Sequence, residues 1–242
     1  MLFIKFVTII QARMGSERLP GKVLLPLGDS CVLDYVISRS KHFLSDEVVV
    51  ATTENPLDDI LTEWCKDYQI PYFRGSEQDV LSRFYDCAKQ YDADYVIRVT
   101  SDCPFVDFKQ ARKGMDTLRN NPVDFVVFPE DQPRGLTVEI VSFEALAYFH
   151  TKGHEARHRE HVTYYGYEFI EEFKTVSCDI PLKMKESNLR ITLDTEDDYE
   201  LCKKLADVYP DKLIDCEHIV DFLVKHPEVA SINSHIIQKP VI

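Results

Sequence analysis

Three cations crowd one loop of the segment FVTIIQARMGSERLPGKVLLPLGD (6–29): Arg13, Arg18 and Lys22, with one acid among them, Glu17. The whole chain carries a formal net charge of -13, so this basic cluster is local and needs a local reason. Gly15 and Gly21 permit close backbone approach, and successive N–H groups in such a turn form an anion-binding nest. Arg13 and Arg18 offer planar forks to phosphate oxygens, and Lys22 offers a compact point charge. Neither G-x-x-x-x-G-K-[ST] nor G-x-G-x-x-G occurs here. From these residue types alone, the loop is either a phosphate cradle or a solvated turn whose arginines pair with surface acids.

Two carboxylates stand at comparable places further along. VIRVTSDCPFVD puts Asp102 just past an apolar run, and RITLDTEDD puts Asp194 just past another. Carboxylates from separate strand ends, meeting beside a polyphosphate, suit Mg²⁺, which takes few protein oxygens and completes its shell with water and substrate phosphates. Each aspartate also has a plainer reading. Asp102 before Cys103-Pro104 suits a turn, and Asp194 suits a cap for a helix starting at 195. The basic loop tips the choice toward the metal.

The elements that must carry these residues are legible from periodicity. LFIKFVTII (2–10), EVVVATT (47–53), DYVIRVT (94–100) and VDFVVF (123–128) read as core strands. Helical patterns lie between them at 31–44, 55–68 and 76–91; in the last, Val80, Leu81, Phe84 and Ala88 share a face, and Ser76 with Asp79 resembles a capping box. Pro56 suits a first turn. Such alternation predicts a mostly parallel, Rossmann-like three-layer α/β sheet, with loop 11–22 beyond the carboxyl end of its first strand, where ligands bind. Past residue 128 the pattern changes: a strand at 136–142, helix through most of 143–167, and a strand within 171–180 that could belong to a small protruding subdomain. A strand at 188–194 follows, then a helix over 195–209 capped by Thr195 and another over 216–227 stopped by Pro227. One domain, 1–242, with an insertion near 130–187, is the expected organisation.

Bulk properties narrow the partners. With 242 residues, 45% hydrophobic and 29% charged, the chain can bury a substantial core. The acidic balance argues against a nucleic-acid or membrane-surface partner, either of which needs a broad basic face. Seven scattered cysteines without a Cys-x-x-Cys pair read as reduced thiols of a cytoplasmic protein. The apolar start is interrupted by Lys5 and lacks a cleavage site or a bilayer-spanning run.

The loop IIQARMGSERLPGKVL resembles the signature of the cytidylyltransferase family that includes CMP-Kdo synthetase and CMP-sialic acid synthetase. It is most similar to the branch named after the spore coat polysaccharide biosynthesis protein SpsF. The likeness continues through RGSEQDVLSRF (74–84), RVTSDCPFVD (98–107), PRGLTVEIVS (133–142), REHVT (159–163) and RITLDTEDDYE (190–200), nearly the whole chain in order. It implies a GT-A-type nucleotide-diphospho-sugar transferase fold and transfer of CMP from CTP to an acidic sugar, in surface polysaccharide biosynthesis. It implies Mg²⁺ on Asp102 and Asp194, and a nucleotide site of Gln11, Ala12, Arg13, Gly15, Ser16, Arg18, Lys22, Arg74 and Thr100. Gln11 and Ala12 would lie near the base and Arg74 would help hold cytosine. Arg13, Lys22 and Asp102 would carry catalysis, while Arg83, Arg134, Glu139 and His161 would face the acceptor. A homodimer formed through 130–187 is the family expectation. Asp197 and Asp198 read as helix-surface acids.

Other readings are weaker. A glycosyltransferase would present Asp-x-Asp where Ser101-Asp102-Cys103 stands, and a non-catalytic nucleotide binder would have lost a ligand that is present here. Uridylyl or guanylyl transfer would bring a G-x-G-x-R opening. His150, His154, His158 and His161 are spaced along one helix face, yet Gly153 interrupts it and no acidic shell accompanies them, so an exposed or acceptor-facing set is preferred to zinc. Tyr164, Tyr165 and Tyr167 read as packing residues.

Overall fold

Alternation along the first strand sets the layering. In the computed structural model, which describes residues 4–239, β1 (Phe6–Gln11) sends Phe6 and Ile10 to one face of a sheet and Val7 and Ile9 to the other, all fully buried. Residues 2 and 3 of the expected strand lie outside the described residues. A short antiparallel pair, β2 (Pro26–Leu27) and β3 (Ser30–Cys31), follows. The remaining strands are β4 (Glu47–Thr53), β5 (Tyr72–Gly75), β6 (Tyr95–Thr100), β7 (Phe125–Val127), β8 (Glu139–Ser142) and β9 (Thr175–Ser177).

All except β2 and β3 join one sheet in the order β5-β4-β1-β6-β8-β7-β9. Its pairings are parallel apart from those of β8 with β6 and β7. The chain builds outward from β1 through β4 to β5, then returns to place β6 on the other side of β1. That reversal makes the carboxyl ends of β1 and β6 the switch point, where crevices open in such sheets.

Helices α1 (Val32–Lys41) and α2 (Asp59–Asp67) cover the first face, α3 (Val80–Gln90) the second, and α4 (Phe108–Asn120) the first again. Helices α5 (Phe143–Lys152), α6 (Ala156–Glu160) and α7 (Tyr164–Glu168) follow on the α3 side. Then α8 (Glu196–Val208), α9 (Cys216–Lys225) and α10 (Pro227–Ala230) close the chain. Leu205 and Ile219 of α8 and α9 share a third apolar cluster with Leu27 and Leu193. The architecture is therefore a three-layer, mostly parallel α/β fold, as the periodicity implied. Among the described residues no helix is long and apolar enough to cross a membrane. All seven cysteines are free.

Several local expectations are corrected. Segment 171–180 forms no protruding unit: β9 adds to the sheet edge beside β7, drawn there by Phe173, whose ring packs on Phe125 and Phe149. Residues 188–194 make no strand, only an isolated parallel bridge between Arg134 and Arg190. Region 143–167 is three short helices. Asp79 itself caps α3, accepting from Ser82 N at 2.8 Å, while Ser76 Oγ accepts from Asp79 N. Pro227 opens α10 instead of merely ending α9.

The bridge at 134–190 needs Gly135. Its φ is +99°, and a methyl there would lie 2.7 Å from the backbone of Ile191. Gly135→Ala should cost about 2 kcal/mol or more in strain and contact, lowering the melting temperature by roughly 5 °C. A variant melting with the wild type in a thermal scan would contradict this packing.

Candidate active site

The basic loop is pinned from below. Met14 N donates to Asp58 Oδ1 at 2.6 Å, and Asp58, 1% exposed, also accepts from Thr53 Oγ1. Ser16 N and Gly21 N both donate to Met14 O, and Gly21 adopts φ +70°, so glycine is demanded at 21. At Gly15 φ is not positive and an added methyl would meet only ordinary contact. Ala12 is buried, its N–H given to Ala51 O at 3.2 Å. Arg13 is exposed and Ser16 half-buried.

Lys22 turns inward. Its Nζ lies 3.1 Å from Asp102 Oδ2 and 2.9 Å from Asp194 Oδ1, and donates to Leu193 O at 2.7 Å. Arg18 Nη2 and Arg190 Nη2 reach Asp194 Oδ2 at 3.0 and 2.9 Å. Three segments distant in sequence thus converge on one ammonium. Burial alone would pull the Lys22 pKa down; Asp102 and Asp194 outweigh it and hold it above the ordinary lysine value. Burial opposes ionisation of Asp194 too, yet Lys22, Arg18 and Arg190 keep its carboxyl below the ordinary value. The two carboxylates already share a cation, so the donor set fits a divalent ion such as Mg²⁺ that takes two protein oxygens and leaves its other positions to water and phosphate. Among the described residues no cluster of three or more histidine, cysteine, aspartate or glutamate side chains could hold a metal unaided. Cys103, beside Asp102, is half-buried, and desolvation pushes its thiol up to about 12, so it stays protonated.

Asp194 is held from behind by residues the sequence did not single out. Arg190 Nε donates to Asp198 Oδ1 at 2.8 Å, and the N–H groups of Asp194 and Thr195 both donate to Asp198 Oδ2 at 3.0 Å. Asp198 is fully buried. It is no surface acid: the same carboxylate closes the capping box with Thr195 and fixes the turn that presents Asp194. Asn233 Nδ2, from the segment after α10, donates to Asp198 Oδ1 and to Arg190 O. Leu193 N and Thr192 Oγ1 both donate to Asp102 O. These bonds explain why 188–194 abandons strand geometry: its backbone is spent joining the Asp102 turn to the Arg134 loop.

The remaining expected residues fall into separate groups. Arg74 donates to Thr53 O and Asn55 O and pairs with Asp59, clamping the loop after β4. Gln11 Oε1 accepts from Arg98 Nη2 at 3.1 Å, and Arg98 pairs with Glu139 on the adjacent strand. Thr100 is the cross-strand neighbour of Gln11, its hydroxyl 3.2 Å from Cys103 Sγ. His161 lies near the Arg98–Glu139 pair; burial first, and then the Arg98 charge, lower its pKa. Glu139 and His161 are thus neighbours. Arg98, which joins them, was signalled only by its charge inside a buried strand. Arg134 is exposed, its backbone bonded to residues 189 and 191, and Arg83 is buried near Arg13. The histidine row dissolves: His150 stacks on Tyr85, and buried His158 meets Glu168 at 2.6 Å. Tyr165 packs as expected, and Tyr167, though 41% exposed, sets its ring edge-on to Phe125.

At the switch point, a basic loop facing two carboxylates, Asp102 just past β6 and Asp194 on a hydrogen-bonded turn, defines a nucleotidyl-transfer type of site. The cytidylyltransferase family profile matches residues 7–225, and the chain belongs to that family. It lies in the SpsF-like branch: it is 32% identical to the spore coat polysaccharide biosynthesis protein SpsF of Bacillus subtilis over 232 residues, 92% of this chain and 95% of that one. It is 38% identical to the uncharacterised protein MJ1063 of Methanocaldococcus jannaschii over 236 residues, 97% of each. A solved cytidylyltransferase from Leptospira borgpetersenii superposes with a TM-score of 0.88 at 32% identity, covering 98% of this chain and all of that one.

Removing the Asp198 charge tests the support of Asp194. Burial opposes the Asp198 charge, but Arg190, Asn233 and local N–H groups hold its pKa below the ordinary 3.8. A depressed carboxylate contributes stability present above the unfolded-state value and lost as pH falls through the folded one. Asp198→Asn should therefore lose about 3 kcal/mol at neutral pH and show a shallower loss of stability below pH 4 than the wild type, as measured by urea unfolding across pH. Parallel acid limbs would refute the assignment.

Proposed function

We propose that this chain transfers CMP from CTP to a hydroxyl of an acidic sugar, releasing pyrophosphate. The observation that carries the reading is the meeting of Lys22, Asp102 and Asp194 beside the Arg13–Arg18 loop. Phosphoryl-type transfer asks mainly for positioning and charge neutralisation, with little covalent work by the protein. Arg13 and Arg18 would bind the triphosphate through their forked donors. Lys22, held charged by its acids, would neutralise negative charge that builds on the leaving pyrophosphate. As the sugar oxygen bonds to the α-phosphorus, the bond to the β-phosphate oxygen breaks and pyrophosphate leaves with the electron pair.

Asp102 and Asp194 would hold Mg²⁺, which when bound polarises the α-phosphate and acidifies the attacking hydroxyl. Glu139, with its Arg98 partner, and His161 form a polar station that would orient the acceptor. Its imidazole, kept neutral by burial, could take the hydroxyl proton. The acidic character of the acceptor rests on the motif resemblance to CMP-Kdo and CMP-sialic acid synthetases, with Arg134 exposed to meet a carboxylate. Glycosyl transfer is disfavoured because Asp102 is flanked by Ser101 and Cys103, with no second acid at the metal turn.

Pyrophosphate release, measured with each of the four nucleoside triphosphates against a panel of acidic sugars, should be highest with CTP and should stop on chelation and resume with Mg²⁺. Lys22→Ala and Asp102→Asn should each reduce that rate at least about a hundredfold, with circular dichroism unchanged. Full activity in either variant would remove those roles.

A further inference from the structure

Arg83 is a buried cation without a counter-ion. It is 2% exposed on α3. Its Nη1 donates to Ser76 O at 2.6 Å, and its Nε has no partner. The helix acids that could have paired with it do not: Asp79 caps α3 and meets Arg159 at 3.4 Å, and among the described residues no carboxylate forms an ion pair with Arg83. The nearest acids are otherwise engaged, Asp58 by Met14 N and Thr53, and Glu77 by Asn55. Burial, and then the charge of Arg13, bring the Arg83 pKa down to about 10, so it remains charged at neutral pH.

The surroundings admit this side chain deliberately. Gly75 closes β5, and a methyl group there would lie 3.0 Å from Arg83 Cγ and 3.3 Å from its Cβ. The guanidinium therefore rests over the carboxyl end of β5, two strands from β1, whose loop carries Arg13. Arg13 makes no side-chain hydrogen bond or ion pair among the described residues. Two guanidiniums, one buried and one exposed, thus lie near each other, and the acids whose charge reaches Arg83, Asp58 and Glu77, form an ion pair with neither. A buried charge without an ion-pair partner is unfavourable, and like charges add to the cost. A fold that retains such an arrangement has a use for an anion there.

We propose that Arg83 is the buried half of an oxyanion site, with Arg13 its exposed half, that takes a phosphate group of the bound nucleotide; this rests on the cytidylyl-transfer reading above. Phosphate is favoured over an acceptor carboxylate because Arg13 belongs to the loop that also carries Arg18 and Lys22. The Arg98–Glu139–His161 station is a separate group that Arg83 does not join. Arg83 is then a nucleotide-binding residue, not an acceptor residue.

The test uses the full chain as wild type, Arg83→Met and Arg83→Lys, with thermal melting and calorimetric titration against CTP, pyrophosphate, cytidine and 3-deoxy-manno-octulosonate. Arg83→Met should melt at or above the wild-type temperature without ligand, because a buried charge with no ion-pair partner is gone, and pyrophosphate should raise the melting point of the wild type but not of Arg83→Met. Arg83→Lys, which keeps the charge but loses the fork, should bind pyrophosphate about tenfold more weakly with cytidine affinity unchanged. The proposal is overturned if Arg83→Lys binds pyrophosphate like the wild type, whether or not Arg83→Met folds. It is also overturned if only sugar-acid binding falls, which would move the oxyanion to the acceptor. A wild type that responds to neither CTP nor pyrophosphate removes the cytidylyl-transfer reading and this site with it; a responsive wild type with equally responsive variants removes this site alone.

Discussion

Two carboxylates sharing one ammonium are the constraint on which the rest depends. Asp102 and Asp194 would repel each other across their crevice if left alone, and at a partly buried site that repulsion is worth several times its value in water. Lys22 removes it by standing within 3.1 Å of both. The same arrangement suits the proposed chemistry: a pair of acids that needs a cation would accept a divalent ion, and a lysine released from them would be free to serve phosphate. Resting-state stability and ligand chemistry therefore use the same charges.

The architecture is best understood as support for that meeting. The strand order places the ends of β1 and β6 side by side, which brings Lys22 and the Asp102 turn together. Asp194 has no strand to hold it, so a hydrogen-bonded turn does the work. Arg190, Asp198 and Asn233 fix the carboxylate from behind, while Leu193 and Thr192 tie it to the Asp102 carbonyl. Asn233 lies past residue 225, where the match to the family profile ends. Asp58 does the equivalent work beneath the basic loop.

The sequence made the parallel sheet legible because its strands are buried on both faces and so appear as unbroken β-branched runs; β4 spans 47–53 as read. The signature loop and both aspartates were legible because their residue types have few joint uses. Asp198, Asp58 and Arg98 were not. Each is a charged residue whose partner is remote or whose position in a helix or turn reads as surface, and burial of a charge is invisible until its counter-ion is located. Segment 188–194 misled for a related reason: its apolar alternation is real, since Ile191 and Leu193 are buried, but its backbone bonds loops instead of a strand. Arg74 showed the converse, an arginine whose donors are consumed locally by Thr53, Asn55 and Asp59.

The most direct test of the shared-cation account is electron paramagnetic resonance of Mn²⁺ added to the protein with and without CTP. The account predicts that the ion is immobilised only when CTP is present, and that Asp194→Asn abolishes the bound signal while leaving the fold intact. A bound signal of wild-type strength in that variant would contradict it.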